Sequence, residues 1–269
     1  MIDLLLALFS LLVLLLIFSR RWYLLEKTSL FGKMVLKKGL KLQGRLTRED
    51  VEVTAKEMIP DPSTVDPKLR VKGENFFKKA ELELKKGNLA EAEKLFIKAI
   101  AMDPSHLQAH ARLGAVYLNQ EQFAKAELFY RKLVLAVADD PVYFSNLALS
   151  LFHQEKYLEA KEFYEKALEL DSSRPGRFYS LARVNYLLAD ADSAFANIEK
   201  ALSLDPDNVD YGLTLAAWQI EKNMHKEARE VLQTILSHWP ENGEAAEMLK
   251  QLDAAAHDDN QTKGETAEQ

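Results

Sequence analysis

Apolar and polar positions along this chain follow three regimes. From Ile2 to Phe18 almost every position is apolar, with Asp3 and Ser10 the only polar side chains. Residues Leu24 to Leu46 mix Leu, Phe, Met and Val with Lys, and their spacing fits a hairpin or an interfacial helix equally well. From Gly73 onward the apolar positions take helical spacing and return every 34 residues, five times. Small residues stand at Ala80, Gly114, Ala148, Ala182 and Ala216, and again at Ala92, Ala126, Ala160, Ala194 and Ala228. A third column reads Ala99, Leu133, Ala167, Ala201 and Ile235. Within one block, Phe144, Leu147 and Leu151 share a helix face, and Ala160, Phe163, Tyr164 and Ala167 share a face of the next helix. Lys86-Gly87-Asn88 marks a turn, and Pro104, Pro206 and Pro240 close three blocks. Proline ends a helix because it lacks the donor and restricts the residue before it.

Such a period means a stack of like supersecondary units, in which function lies in a surface. The residues resemble the tetratricopeptide repeat (TPR), which carries two antiparallel helices per 34 residues. The pattern shows in Phe76, in Leu113-Gly114-Tyr117 with Ala126-Tyr130, and in Phe144, Leu147-Ala148, Ala160-Tyr164 and Ala167. It continues in Phe178, Leu181-Ala182, Ala194, Ala201 and Pro206. His110 and Gly212 depart from the early bulky residue, and Ala138 from a closing proline. The resemblance implies an all-α fold: a right-handed α-solenoid of helix hairpins. Its units run 73–106, 107–140, 141–174, 175–208 and 209–242. Alanine on facing helices lets their axes approach closely. Exposed Glu81 with Lys85 and Glu162 with Lys166 have the favourable i,i+4 order.

A stack needs ends. Residues 243–253 predict a capping helix, with Ala246, Leu249 and Leu252 inward and Glu244, Glu247, Lys250 and Gln251 in water. Residues 254–269 have the composition of a disordered tail. At the other end, residues 1–21 predict one transmembrane helix. Seventeen residues reach about 26 Å, enough for a hydrocarbon core of about 30 Å once Arg20 and Arg21 snorkel. A cleavable signal peptide fits less well, since the start is Met-Ile-Asp and no small-residue cleavage site follows. Residues 22–72 form a basic juxtamembrane region and a linker, the latter with Pro60, Pro62 and Pro67 as a semi-stiff spacer. A short capped helix starting near Thr47 is expected within this region, up to about Met58.

Charge sets the orientation. Nine basic and four acidic residues lie through Asp50, a balance of +5, and the rest carries −11 of the total −6. Positive charge after the apolar run places the repeats in the cytoplasm, and the resemblance implies a bacterial inner membrane as the setting. The basic stretch would also be drawn to anionic lipid, while the acidic array lacks the footprint that nucleic acid needs.

No catalytic constellation is present. The chain has no cysteine, so disulfides and thiolate chemistry are excluded. No phosphate-binding glycine loop occurs. His106 and His110 have no third ligand at metal spacing and are read as structural. No cofactor or metal is expected, and the chain is not read as an enzyme.

The resemblance puts the ligand surface on the concave face lined by first helices. Carried over, the positions are Phe77, Glu81, Ala111, Ala115, Ser145, Leu149, Tyr179, Arg183, Leu213 and Ala217, with Phe152 one turn further on. Leu84, Leu118, Leu187 and Ile220 lie at that further level and are expected mostly to pack. Family members that clamp a C-terminal carboxylate use Lys, Asn and Arg at such places. Here Phe77, Glu81, Ala111 and Ala115 replace them, and only Arg183 suits an acidic end. An apolar groove remains, fit for an amphipathic or apolar segment of a partner protein. The expected function is a membrane-anchored interaction scaffold. Its rivals are an accessory or regulatory subunit of a membrane enzyme or envelope-assembly complex, and a receptor or co-chaperone for a translocase.

Overall fold

The computed structural model describes residues 59–254. The expected transmembrane helix, the basic stretch, the short helix before Met58 and most of the tail lie outside the described residues.

Helix starts follow from local chemistry. The Asp66 side chain accepts from Lys68 N at 2.8 Å, and Pro67 takes the first helical position, where its missing donor costs nothing. Helix α1 therefore runs Pro67–Lys85, beginning six residues before the expected unit boundary. Pro62 opens a short 3-10 turn, Pro62–Thr64, capped by Asp61. The spacer expected through residue 72 is thus helical in its last part. Asp140 and Pro141 repeat the Asp-Pro start at the helix Pro141–Phe152.

Five hairpins follow one another: α1 with α2 (Leu89–Met102), α3 (Leu107–Asn119) with α4 (Phe123–Ala136), and α5 (Pro141–Phe152) with α6 (Tyr157–Leu170). Then come α7 (Pro175–Leu187) with α8 (Ala191–Leu204), and α9 (Val209–Glu221) with α10 (His225–His238). A last helix, α11, occupies 243–254, the end of the described residues. No strand occurs among the described residues.

Each hairpin turns in the same way. Asn88, Gln122, Lys156, Asp190 and Met224 donate their backbone N–H five residues back, to Glu83, Tyr117, Leu151, Asn185 and Gln219. The residue before each is left-handed: Gly87, Glu121, Glu155, Ala189 and Asn223, with φ between 57° and 80°. This is the Schellman closure. Only the first unit supplies the glycine it favours, so only that turn was legible in the sequence. Relieving the left-handed cost of about 1–2 kcal/mol outweighs a glycine's extra unfolded-chain entropy of about 0.4–1 kcal/mol. Ala189→Gly, at an exposed site, is therefore expected to stabilise the array by ~0.5–1 kcal/mol in a urea titration. A lowered midpoint would show that the Ala189 methyl contributes packing that its exposure conceals.

The small columns are the seams. Ala80, Ala148, Ala182 and Ala216, and all five of Ala92, Ala126, Ala160, Ala194 and Ala228, are wholly buried. A larger buried column, Phe96, Tyr130, Tyr164, Ile198 and Leu232, interlocks beside them. Where Gly114 replaces alanine, the Tyr130 ring presses in, and an added Cβ would stand 3.0 Å from it. The position-4 column, Phe76, His110, Phe144, Phe178 and Gly212, trades volume with Ala99, Leu133, Ala167, Ala201 and Ile235. Where the first lacks an aromatic carbocycle, the second is large. At Gly212 the trade is direct, since an added Cβ would lie 3.0 Å from Ile235 Cδ1.

Polar bonds tie successive units. Gln120 Nε2 donates to Glu93 (3.1 Å), Gln154 Nε2 to Glu127 (2.9 Å) and Lys161 Nζ to Asp190 (3.1 Å). Burial works to raise the Glu127 carboxyl, but Lys156, Arg131 and Gln154 together hold it below its usual value. The equivalent fourth-unit residue is Phe195, which interrupts the ladder, and the fifth-unit equivalent, Arg229, resumes it by donating to Asp253 of the last helix at 2.6 Å.

Arg177, almost fully buried, bonds the Asp171 carboxylate at 2.5 Å, the Asp171 carbonyl at 2.7 Å and Ser145 Oγ at 3.1 Å, joining α5, α6 and α7. Arg177 first, then the Ser173 hydroxyl and N–H, hold the Asp171 carboxyl far below its ordinary 3.8. A depressed carboxylate stabilises the fold above the unfolded value and loses that contribution on acidification. Arg177→Gln is thus expected to lower Tm at pH 7, with the deficit narrowing below about pH 4 as the unfolded-state carboxyl takes its proton. A deficit that stays constant from pH 7 to pH 3 would remove the ion pair as its cause.

Two expected surface pairs form differently. Glu81 meets Arg112 of the next unit at 3.1 Å, and Lys166 meets Glu169 at 2.7 Å. The capping helix turns Leu249 and Leu252 inward as expected, and differs at its first inward position. Ala245, not Ala246, is wholly buried, together with Leu252, and Met248 and Leu249 pack on the same cluster. Asn242 Oδ1 accepts from Ala245 N at 2.8 Å and so fixes the phase of the helix start.

Candidate partner-binding site

The first helices of the second, third and fourth units approach one another, whereas no comparably close approach is seen between second helices. First helices therefore line the inner face. On it, residues at i, i+3, i+4 and i+7 of α3, namely Gln108, Ala111, Arg112 and Ala115, form one stripe facing α5.

That stripe, with Phe77, Val142, Tyr143 and Asn146, bounds a recess of about 340 Å³. At its floor the Tyr130 hydroxyl donates to the Ala111 carbonyl at 3.3 Å and accepts from Asn146 Nδ2 at 3.0 Å. Burial pushes this phenol strongly up, so it stays a neutral donor and acceptor. Phe77 is braced by His106, ring to ring at 4.7 Å. The Glu81–Arg112 pair borders the recess through Arg112. A second recess of about 490 Å³ adjoins it and shares Val142 and Asn146. Leu149, Tyr164, Arg174 and Ser180 line its remainder, and burial raises the Tyr164 hydroxyl to about 12.

Of the eleven inner-face positions expected from sequence, Phe77, Ala111 and Ala115 meet in the first recess and Ser145 and Leu149 in the second. The Ser145 hydroxyl is committed, donating to the Pro141 carbonyl at 2.8 Å while accepting from Arg177. Arg183 lies over the Phe152 ring at 4.7 Å and over the Tyr179 ring of its own unit at 5.8 Å. Tyr179 packs on Tyr211 at 4.7 Å. Thr214 donates its own proton to the Asp210 carbonyl, which leaves Tyr179 to donate to Thr214 Oγ1 at 3.1 Å. Tyr179 therefore also joins the fourth and fifth units. Leu213 is buried within the fifth unit's core and offers little surface, while Ala217 is exposed. Of the further level, Leu187 is exposed and Leu84, Leu118 and Ile220 are half-buried.

Gln108, Arg112, Tyr143 and Asn146 were missed by sequence reasoning. Gln108 and Arg112 complete the helical stripe through Ala111 and Ala115, so the 3.6 period contained that signal. The groove is accordingly less apolar than expected. His106 accepts from Ala109 N and faces Glu74 at 3.2 Å, and His110 Nε2 donates to the Pro104 carbonyl at 3.0 Å while its Nδ1 is buried without a partner among the described residues. Among the described residues, no three His, Cys, Asp or Glu side chains converge as a metal site.

Repeated hairpins, a recessed inner wall and a capping helix define a helical-repeat solenoid built to present a surface. A family profile described as tetratricopeptide repeat matches residues 83–149 and 187–252, and a second of that description matches 141–205. The chain belongs to the tetratricopeptide repeat family. No curated protein matches it by sequence. Among solved structures, MamA (41-end) from Desulfovibrio magneticus RS-1 is 16% identical with a TM-score of 0.61, over 64% of this chain and 97% of that one. YrrB, described as a TPR protein with an unusual peptide-binding site, is 20% identical with a TM-score of 0.57, over 65% and 90%. PilF of Pseudomonas aeruginosa is 21% identical with a TM-score of 0.54, over 74% and 99%. At these identities the likeness is one of fold.

Proposed function

We propose that this chain is a membrane-anchored scaffold that holds a segment of a partner protein along its inner face, without chemistry of its own. The observation that carries this reading is the pair of adjoining recesses across the first three units and the start of the fourth. Their walls combine half-buried Phe77, Ala111, Ala115 and Leu149 with Arg112 and Asn146 at the edges. Apolar seats flanked by hydrogen-bonding groups suit an amphipathic peptide segment. Peptide binding by YrrB is a parallel within the same fold.

Confinement to a membrane would raise the local concentration of anything bound. We assign that anchoring to residues 1–21 as a single-pass helix, with the repeats on the cytoplasmic side of a bacterial inner membrane. The apolar run and the nine basic residues through Asp50 support this. Removing residues 1–21 is expected to release the protein from membranes, or to leave only attachment that 1 M salt removes, because screening over about 3 Å abolishes lipid attraction. Retention in high salt would require another anchor. Protease applied outside spheroplasts is expected to leave residues 73–253 intact. Digestion there, with a cytosolic control protected, would reverse the orientation.

A further inference from the structure

The fifth unit departs from its neighbours on its outer side. In the third and fourth units, a first-helix phenylalanine (Phe144, Phe178) is paired with alanine on the second helix (Ala167, Ala201). In the fifth unit Gly212 replaces the phenylalanine and Ile235 the alanine. The isoleucine reaches only part of the space that a ring would take. What remains is a crevice of about 470 Å³ between α8 and α10, floored by α9. The packing of α8 on α9 is the thinnest seam of the array, and the large core cluster that begins at Ala80 ends at Val184 in α7.

Two further observations concern what this crevice would hold. Gln219, on its floor, is only 6% exposed, and its Oε1 has no hydrogen-bond partner among the described residues. A buried unpaired acceptor is costly unless something donates to it. The walls and rim carry Glu199, Asp207, Glu227 and Glu230. All four side chains are exposed, and none forms an ion pair among the described residues. His238 is the lining group able to carry positive charge. Apolar surface comes from Val231, Ile235 and Trp239.

We infer that this crevice is a second binding site, separate from the inner face, for a cationic amphipathic segment of a partner protein. An apolar side chain of that segment seats over Gly212, against Val231, Ile235 and Trp239. A donor beside it meets Gln219 Oε1. Flanking Lys or Arg side chains face the four carboxylates. The −11 balance of the chain beyond Asp50 steers such a segment toward the array. The two faces then make the scaffold bivalent, with one segment inside and one outside.

The test uses the full-length protein in non-ionic detergent and two labelled peptides of 14 residues. One places two leucines and a tryptophan at helical spacing among five lysines, and the other has glutamates in place of the lysines. Fluorescence anisotropy reads binding. The lysine peptide is expected to bind and to weaken with salt, and the glutamate peptide is expected not to bind. Gly212→Phe with Ile235→Ala recreates the Phe/Ala pair of the neighbouring units. It is expected to melt like the native protein and to weaken lysine-peptide binding tenfold or more. Glu227→Lys with Glu230→Lys should weaken it as strongly. Gln219→Leu should raise Tm, because the orphan acceptor is gone, and still weaken binding severalfold, which a merely structural glutamine would not do. Leu149→Gln on the inner face should leave binding unchanged. Native affinity in the Phe/Ala variant, or in Gln219→Leu should the former fail to fold, overturns the proposal. So does equal loss in Leu149→Gln, which would put the peptide on the inner face.

Discussion

Ala148→Glu is expected to melt the middle of the array. Ala148 has no exposed surface and lies in the seam column of the third unit, inside the large core cluster. A carboxylate there has no cationic partner and loses its water, at a cost of roughly 3–5 kcal/mol. The added atoms must also displace close-packed neighbours, roughly 1–3 kcal/mol more. A stack held by nearest-neighbour interfaces cannot spread this loss, so the units on either side should separate in stability. Circular dichroism should show a far lower and broader melt. A melt within 1 °C of the native one would mean that the small column is not a close seam.

The converse result is expected on the inner face. Ala111→Glu with Leu149→Glu should leave the array folded with a far smaller loss than Ala148→Glu, because both side chains touch the core cluster but keep a face open to water. Both positions line recesses and are half-buried. The pair should nevertheless reduce the proteins co-isolated from membranes to the background of an unrelated anchored control. A partner's apolar segment would have to strip water from two carboxylates to seat there. Tyr179 is left out of this pair because its contacts with Tyr211 and Thr214 join the last two units, so charging it would confound binding with folding. Unfolding of the Ala111/Leu149 variant would make those residues core. A folded variant with its full set of partners would move binding off this face.

The contrast between these variants reflects what a sequence can encode plainly. Ala80, Ala148, Ala182 and Ala216 recur in register because helix axes must approach at the same place in every unit, so both the fold and the seams could be read directly. The turns could be read only where Gly87 announces one. Glu121, Glu155 and Ala189 take the same left-handed conformation with nothing in their chemistry to signal it, and Asn223 carries only the weaker signal of an asparagine. The inner face was legible as a set of columns, but the recesses were not. They arise where α5 meets α3, and Asn146 enters the first recess through its bond to Tyr130, sixteen residues back on another helix. Leu213 occupies a ligand column and is nonetheless buried, because it sits in the cluster that the capping helix closes with Ala245, Met248 and Leu249. In the cap, Leu249 and Leu252 were legible from helical spacing, and only the first inward position, Ala245 in place of Ala246, was misread.

Site-specific photocrosslinking in intact membranes tests the scaffold reading most directly. A photoreactive residue placed at Ala115 or Leu149 faces the inner recesses. One placed at Leu128 or Leu158, both highly exposed on second helices of the second and third units, reports the outer face. The account predicts discrete partner adducts from the inner pair, found in the membrane fraction and lost when residues 1–21 are removed, with none from the outer pair. Adducts from Leu128 and Leu158 alone, or inner-face adducts that persist unchanged in the soluble truncated protein, would contradict it.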